Sequence, residues 1–146
     1  GGIGNFRFCA SAYTDSGVPF FPAAYHSAER PEGFALALEN GGVVYSALAE
    51  ARGKEPGVAL EGVRSRLMSH LLEMEKRALK VAQAEGVAYL GVDTSVNPAL
   101  SVDGSVAGAC ERFYGREYRF GHFGTLAMAE MLTRSVREME GVRTTG

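Results

Sequence analysis

The residues able to do chemistry in this chain stand at junctions between apolar runs and turns. Asp93, Thr94 and Ser95 end the run 87–92, and Asn97-Pro98 closes that polar segment. His26 closes a proline- and aromatic-rich stretch, and Glu39 ends a short apolar run beside Asn40. His122, Gly124 and Thr125 lie at a glycine-flanked entry to a helical pattern. Histidines with carboxylates can move protons as general acid and base, or hold a divalent metal. Their spacing is long-range, so the sequence by itself does not bring them together. No HExxH, GxSxG, EF-hand or P-loop pattern is present. Ser95 as a nucleophile would need a histidine beside it.

Each candidate has a plainer reading. Asp93-Thr94-Ser95 is either the mouth of a site at a strand end or an Asx or ST turn before a proline. Glu39 is a catalytic carboxylate or a cap. Arg7 is a ligand contact or an ordinary strand-end charge. Gly124-Thr125 either presents backbone N–H groups to an anion, with Thr125 as N-cap, or simply makes a tight capped turn. His70 has no second ligand at a helical spacing and reads as a structural or surface residue.

Periodicity gives the scaffold that carries these groups. Residues 5–13 read as a strand, and 34–39 as a second strand candidate whose Ala and Leu content suits a helix as well, broken by Gly41-Gly42. Residues 43–52 read as a helix with Val44, Leu48 and Ala51 on one face. After the break at 53–57 comes the longest helix, 58–85, with Val63, Leu67, Leu71, Met74, Ala78 and Val81 as its buried stripe and Gly86 as its C′ residue. Residues 87–92 form the central buried strand. A short helix over 105–114 comes next, with Ser101 or Asp103 as cap and Cys110 as a small buried hydrophobe. The last helix begins at 125 or 126 and ends at 139, with Ala129, Leu132, Val136 and Met139 inward. The long segment 14–33 holds Pro19, Pro22 and Pro31, and its apolar block 18–25 must pack on a core, cover a pocket or meet another chain.

Strands alternating with helices indicate an α/β fold. The 146 residues suffice for one α/β segment with a core, and 46% hydrophobic with 22% charged residues is a globular composition. A net charge of -2 without a basic stripe argues against a nucleic-acid partner. The longest helical pattern is charged throughout, so no membrane span is expected. Cys9 and Cys110 form no CxxC or zinc-type cluster. The pair is either a disulfide or, as expected here, two reduced thiols, which with no signal peptide fit the cytoplasm. The chain begins with Gly1 rather than methionine and stops abruptly, which suggests a split, processed or partial chain.

Four blocks carry a resemblance: Gly4-Asn5-Phe6-Arg7-Phe8, Pro19-Phe20-Phe21-Pro22-Ala23-Ala24-Tyr25-His26, Gly91-Val92-Asp93-Thr94-Ser95-Val96-Asn97-Pro98 and Phe120-Gly121-His122-Phe123-Gly124-Thr125-Leu126. In this order the chain resembles the later-middle portion of domain-of-unknown-function family 711, also called uncharacterised protein family 0210. Asn97 departs from the alanine expected there. The resemblance implies the pyruvate formate-lyase-like fold group. This chain would then be a sector of an α/β barrel, completed by a complementary chain or segment that covers its strand edges. It implies no radical chemistry, because the glycyl-radical motif and its cysteine pair are missing from this sequence.

Together these features predict an enzyme, or a subunit of one, acting on a small carboxylate- or carbonyl-bearing metabolite. The chemistry would be acid–base or metal-assisted, lyase or aldolase in type by analogy with the fold group. His26, Asp93, Ser95 and Glu39 are the catalytic candidates. Arg7, His122, Gly124 and Thr125 are the ligand-binding candidates. A divalent metal is the one cofactor the residue types suggest. The alternative is a non-enzymatic metabolite-binding regulatory or assembly subunit, since relatives of the family stand beside small ligand-binding ACT-domain proteins.

Overall fold

The computed structural model describes residues 4, 12, 15, 16, 19, 25, 27–97, 99–115 and 117–145. The expected strand 5–13, with Arg7 and Cys9, lies outside the described residues, as do His26 and most of the apolar block 18–25.

The described chain is a mixed α/β unit. Its elements run β1 (Gly33–Ala37), α1 (Gly41–Glu50), α2 (Pro56–Glu85), β2 (Ala88–Asp93), a 3-10 turn (Val102–Gly104), α3 (Val106–Tyr114), α4 (Thr125–Arg137) and β3 (Thr144–Thr145). The three strands form one parallel sheet in the order β1-β2-β3. Parallel neighbours need long crossovers, and the helix pairs α1–α2 and α3–α4 supply them. Every described strand therefore points its carboxyl end the same way.

Helix α2 is the main support. Pro56 stands in its first turn, where the missing N–H costs nothing. Gly86 ends it in the left-handed region at φ 67, and Val87 N–H closes the turn onto the Ala82 carbonyl at 3.1 Å. Its buried stripe is Ala59, Leu60, Val63, Leu67, Leu71, Ala78 and Ala82. Two residues of the expected stripe differ: Met74 is only half-buried and Val81 is exposed, with Ala82 taking the inward position. At this end the helix packs against Tyr89 of β2, and the α-helical step of four from Ala78 reaches Ala82 rather than Val81.

The core gathers Val44 and Leu48 of α1, Val63, Leu67 and Leu71 of α2, Val92 of β2, Cys110 and Phe113 of α3, and Met128, Leu132 and Val136 of α4. Cys110 is a buried free thiol, as its apolar setting suggested, and burial pushes its ionisation up. In α4 the inward residue of the first turns is Met128, fully buried, whereas Ala129 faces out. Met128, Leu132 and Val136 then keep a step of four.

Three local expectations are corrected. Gly41-Gly42 lies beyond the end of β1 and already opens α1, so the helix starts two residues before the expected Val43. Gly41 is required there because a Cβ would run into the Gly104 carbonyl. The cap of α3 is Ser105, whose hydroxyl accepts from Gly108 N–H at 3.0 Å, and neither Ser101 nor Asp103 serves. Thr125 is the first residue of α4, not its N-cap. Gly124 holds the cap position at φ 88, a conformation a threonine would resist.

Candidate functional site

The site is built from the end of β2. Its pairing with β1 is regular except at one point, where Phe34 lies opposite Tyr89 and Ala35 opposite Gly91. Leu90 is the extra residue of a β-bulge. A bulge re-aims the side chains beyond it. Tyr89 and Val92 accordingly both pack toward the helices, which simple alternation would forbid. Gly91 makes the bulge possible: its φ is 127, and a Cβ would approach the Arg143 carbonyl to 2.7 Å.

Arg143 fixes β3 beside this bulge. Its N–H donates to Glu75 Oε1 at 2.8 Å, its guanidinium to the Tyr89 carbonyl at 2.7 Å, and its carbonyl accepts from Val92 N–H at 2.9 Å. Asp93 then lies on the central strand, level with Ala37 of β1 and Thr145 of β3. It is 3% exposed, a rare state for a carboxylate. Asp93 Oδ1 accepts from Ser95 N–H at 2.9 Å, which is an Asx turn. The turn reading of this stretch is therefore seen in the structure. The turn also directs Thr94, Ser95 and Val96 into the wall of a cleft of about 530 Å³.

That cleft lies between the 94–96 segment and α4. Val106, Leu132 and Val136 give it an apolar side, and Thr133, Arg137 and Thr145 a polar one. Its volume is in the range that small ligands occupy. Of the described lining residues, Arg137 alone carries a charge. A second groove of about 600 Å³ runs along the outside of α4 past Leu126, Glu130 and Arg134. All its described walls belong to one helix and the residue after it, so no opposing element encloses a ligand there.

The other candidates stand apart from the cleft. Glu39 is exposed, two residues beyond Ala37, on the same carboxyl side of the sheet as Ser95. His122 is exposed, its ring set edge-on to Tyr118 with centroids 6.3 Å apart. Thr125 uses its hydroxyl locally: Oγ1 accepts from Gly121 N–H at 2.9 Å and shares a 2.6 Å bond with the Tyr118 hydroxyl. Thr125 N–H donates to the His122 carbonyl, so part of the helix start is already occupied. None of Glu39, His122, Gly124 and Thr125 lines the cleft. His70 is on the surface of α2.

Sequence reasoning missed Thr133, Arg137 and Thr145, because nothing in their local pattern differs from an ordinary helix surface or a chain end. It also passed over Asn40. That side chain is 6% exposed and its Nδ2 has no hydrogen-bond partner among the described residues. Tyr89 is similar. Its buried hydroxyl has no partner among the described residues, and burial raises its ionisation above 10.0, with the nearby Glu75 charge adding and Arg143 opposing. Among the described residues no three His, Cys, Asp or Glu side chains come together to hold a metal. No described helix is long and apolar enough to cross a membrane.

The sequence matches the family described as uncharacterised ACR (DUF711) over residues 1–146. The chain belongs to that family. No curated protein and no solved structure matches it.

Proposed function

We propose that the chain is an enzyme, or a subunit of one, that binds a small carboxylate- or carbonyl-bearing metabolite at the carboxyl end of its parallel sheet. The observation that carries this reading is Asp93, a buried carboxylate on the central strand whose Asx turn forms one wall of the cleft. Crevices at the carboxyl ends of parallel strands are where such folds bind ligands. A buried carboxylate there is costly unless it has a task or a set of bonds.

In this proposal Asp93 and His26 form the acid–base set, and a proton moves at the carbon next to the substrate carbonyl. Ser95, held by Asp93, contributes its hydroxyl to the substrate. Glu39, on the neighbouring strand end, is the second carboxylate. Arg7 is a secondary ligand contact, whereas His122 stands apart from the cleft. A divalent metal would suit Asp93, Glu39 and His26 by residue type. A lyase or aldolase type of reaction and a cytoplasmic setting complete the proposal, the latter in keeping with the free Cys110 thiol.

A second reading, an assembly or regulatory subunit, is favoured by one observation. Phe123 is 102% exposed and Leu126 83%, with Phe120 nearby in the same loop. A complementary chain of the same barrel would cover such residues and pair with β1 and β3, the outer strands among the described residues.

The deciding experiment is turnover of a panel of short 2-oxo and 2-hydroxy acids, monitored by NMR, in the parent chain and in Asp93→Asn and His26→Ala. Loss of acid–base groups costs roughly 10²–10⁴-fold, and far-UV circular dichroism should be unchanged. Full activity in both variants would remove the catalytic assignment and leave the assembly reading.

A further inference from the structure

We propose that Arg137 anchors the substrate through a carboxylate, in the cleft between the 94–96 segment and α4. The proposal rests on the reading of that cleft as the substrate site and adds to it the group that is recognised.

Besides the hydroxyls of Thr94 and Ser95, the polar lining of the cleft offers Arg137 as its one charged donor among the described residues. Thr133 Oγ1 donates to the Ala129 carbonyl at 2.8 Å, and Thr145 Oγ1 to the Pro19 carbonyl at 3.3 Å. The Ser95 N–H is spent on Asp93. The Arg137 guanidinium keeps five N–H donors in a planar fork that fits two carboxylate oxygens. No ion pair engages Arg137 among the described residues, whereas Arg134, one turn earlier, faces Glu130 at 3.7 Å. A basic residue in the last turn of a helix also offsets its dipole. Arg134 already meets that need in α4.

Charge fixes the class of ligand further. One lining cation balances one negative charge. A phosphate dianion brings one negative charge more than Arg137 can balance into a cleft that begins beside the Asp93 carboxylate, whereas a monocarboxylate is matched one to one by Arg137. The apolar wall of Val106, Leu132 and Val136 suits a short hydrocarbon body behind the carboxylate. The anion is thus held at the end of α4, not at its start by Gly124 and Thr125.

The test is binding, measured apart from turnover. The ¹⁵N-labelled chain is titrated with propionate, with neutral propionamide and with inorganic phosphate, observing the amides of Thr94, Ser95, Val96 and Thr145. Propionate should give saturable shifts at these positions and propionamide none. Arg137→Gln should weaken propionate about tenfold or more, since bonds to a charged group carry that much, and Arg137→Lys should recover part of it. Arg134→Gln is the control and should bind as the parent does. Absence of propionate shifts in the parent chain, parent-like binding by Arg137→Gln, equal binding of propionamide, or tighter binding of phosphate would each overturn the assignment. Loss of turnover in Asp93→Asn beside parent-like binding in Arg137→Gln would sink the anchor and spare the enzyme. The opposite pattern would do the reverse.

Discussion

The end of β2 and the start of α4 look alike as sequence and behave differently as structure. Each joins glycines to a Thr or Ser and an Asp or His. At the end of β2 the strand that carries the polar residues is held by long-range contacts. Glu75 and Tyr89 fix Arg143, Arg143 fixes β3, and Asp93 is buried between two neighbouring strands. At the start of α4 the bonds of Thr125 are local. Gly121, Tyr118 and Thr125 serve one another within seven residues, and Phe120, His122 and Phe123 remain exposed. A junction built by distant parts of the chain can hold a costly group such as a buried carboxylate. Among the described residues the start of α4 is tied besides to the neighbouring α3, through Phe120 N–H on Glu111 Oε1 at 3.0 Å and the Tyr114–Tyr118 ring contact, and it buries no charge.

The sharpest way to break this contrast is at its glycines. Gly91 and Gly124 both have positive φ, 127 and 88 respectively. An added Cβ on Gly91 meets the Arg143 backbone at 2.7 Å, while on Gly124 the nearest group is the Tyr114 hydroxyl at 3.7 Å. Gly91→Ala should therefore cost about 3 kcal/mol, combining strain with displacement of β3. Gly124→Ala should cost about 1 kcal/mol from conformation alone. Thermal denaturation measures both, and equal losses would show that the bulge is not what sets the strand end.

The next effect concerns the polar groups themselves. Asp93→Ala removes a part-buried bond from the Ser95 N–H to a charged acceptor, and about 2 kcal/mol should be lost in urea denaturation. Asp93→Asn keeps an acceptor oxygen and should recover part of that. Thr125→Ala removes two bonds near solvent, where water replaces them, and should cost under about 1 kcal/mol. A reversal of the two alanine costs would make the α4 start the better-built region.

The same contrast explains why the strand end was half legible in the sequence. The apolar run, the polar break and the Asx turn are local, and Asp93 and Ser95 stand out without a structure. Helix α2 was legible for a similar reason, because its stripe repeats over many turns and Gly86 marks its end. The bulge at Leu90 was not, since one unpaired residue leaves no periodic trace. Nor was β3, a two-residue strand of Thr144 and Thr145 with no apolar run, placed there by Arg143. Arg137 and Thr133 look like ordinary outward residues of α4 until the 94–96 segment is laid against them. The cap of α4 was misplaced because Thr125 is a favoured cap type, while the required left-handed backbone could be met only one residue earlier by Gly124.

The smallest effect separates the two regions by pH. Tyr89 belongs to the strand-end region and Tyr114 to the helix-start region, and burial raises the ionisation of both above 10.0. A tyrosine that holds its proton longer when folded stabilises the fold below the unfolded pKa. That stability is lost as pH rises through the folded value, because the unfolded chain then releases a proton that the folded chain keeps. Tyr89 is 4% exposed and Tyr114 41%. The Tyr89 share should therefore be the larger, and Tyr89→Phe should flatten the alkaline fall more than Tyr114→Phe. At neutral pH Tyr89→Phe removes a buried hydroxyl that has no partner among the described residues, so it should be neutral or slightly stabilising. Denaturation midpoints taken from pH 7 into the alkaline range read both effects. A marked loss at pH 7 in Tyr89→Phe would mean that the hydroxyl is bonded to a group outside the described residues and that the region behind the bulge is the more polar of the two.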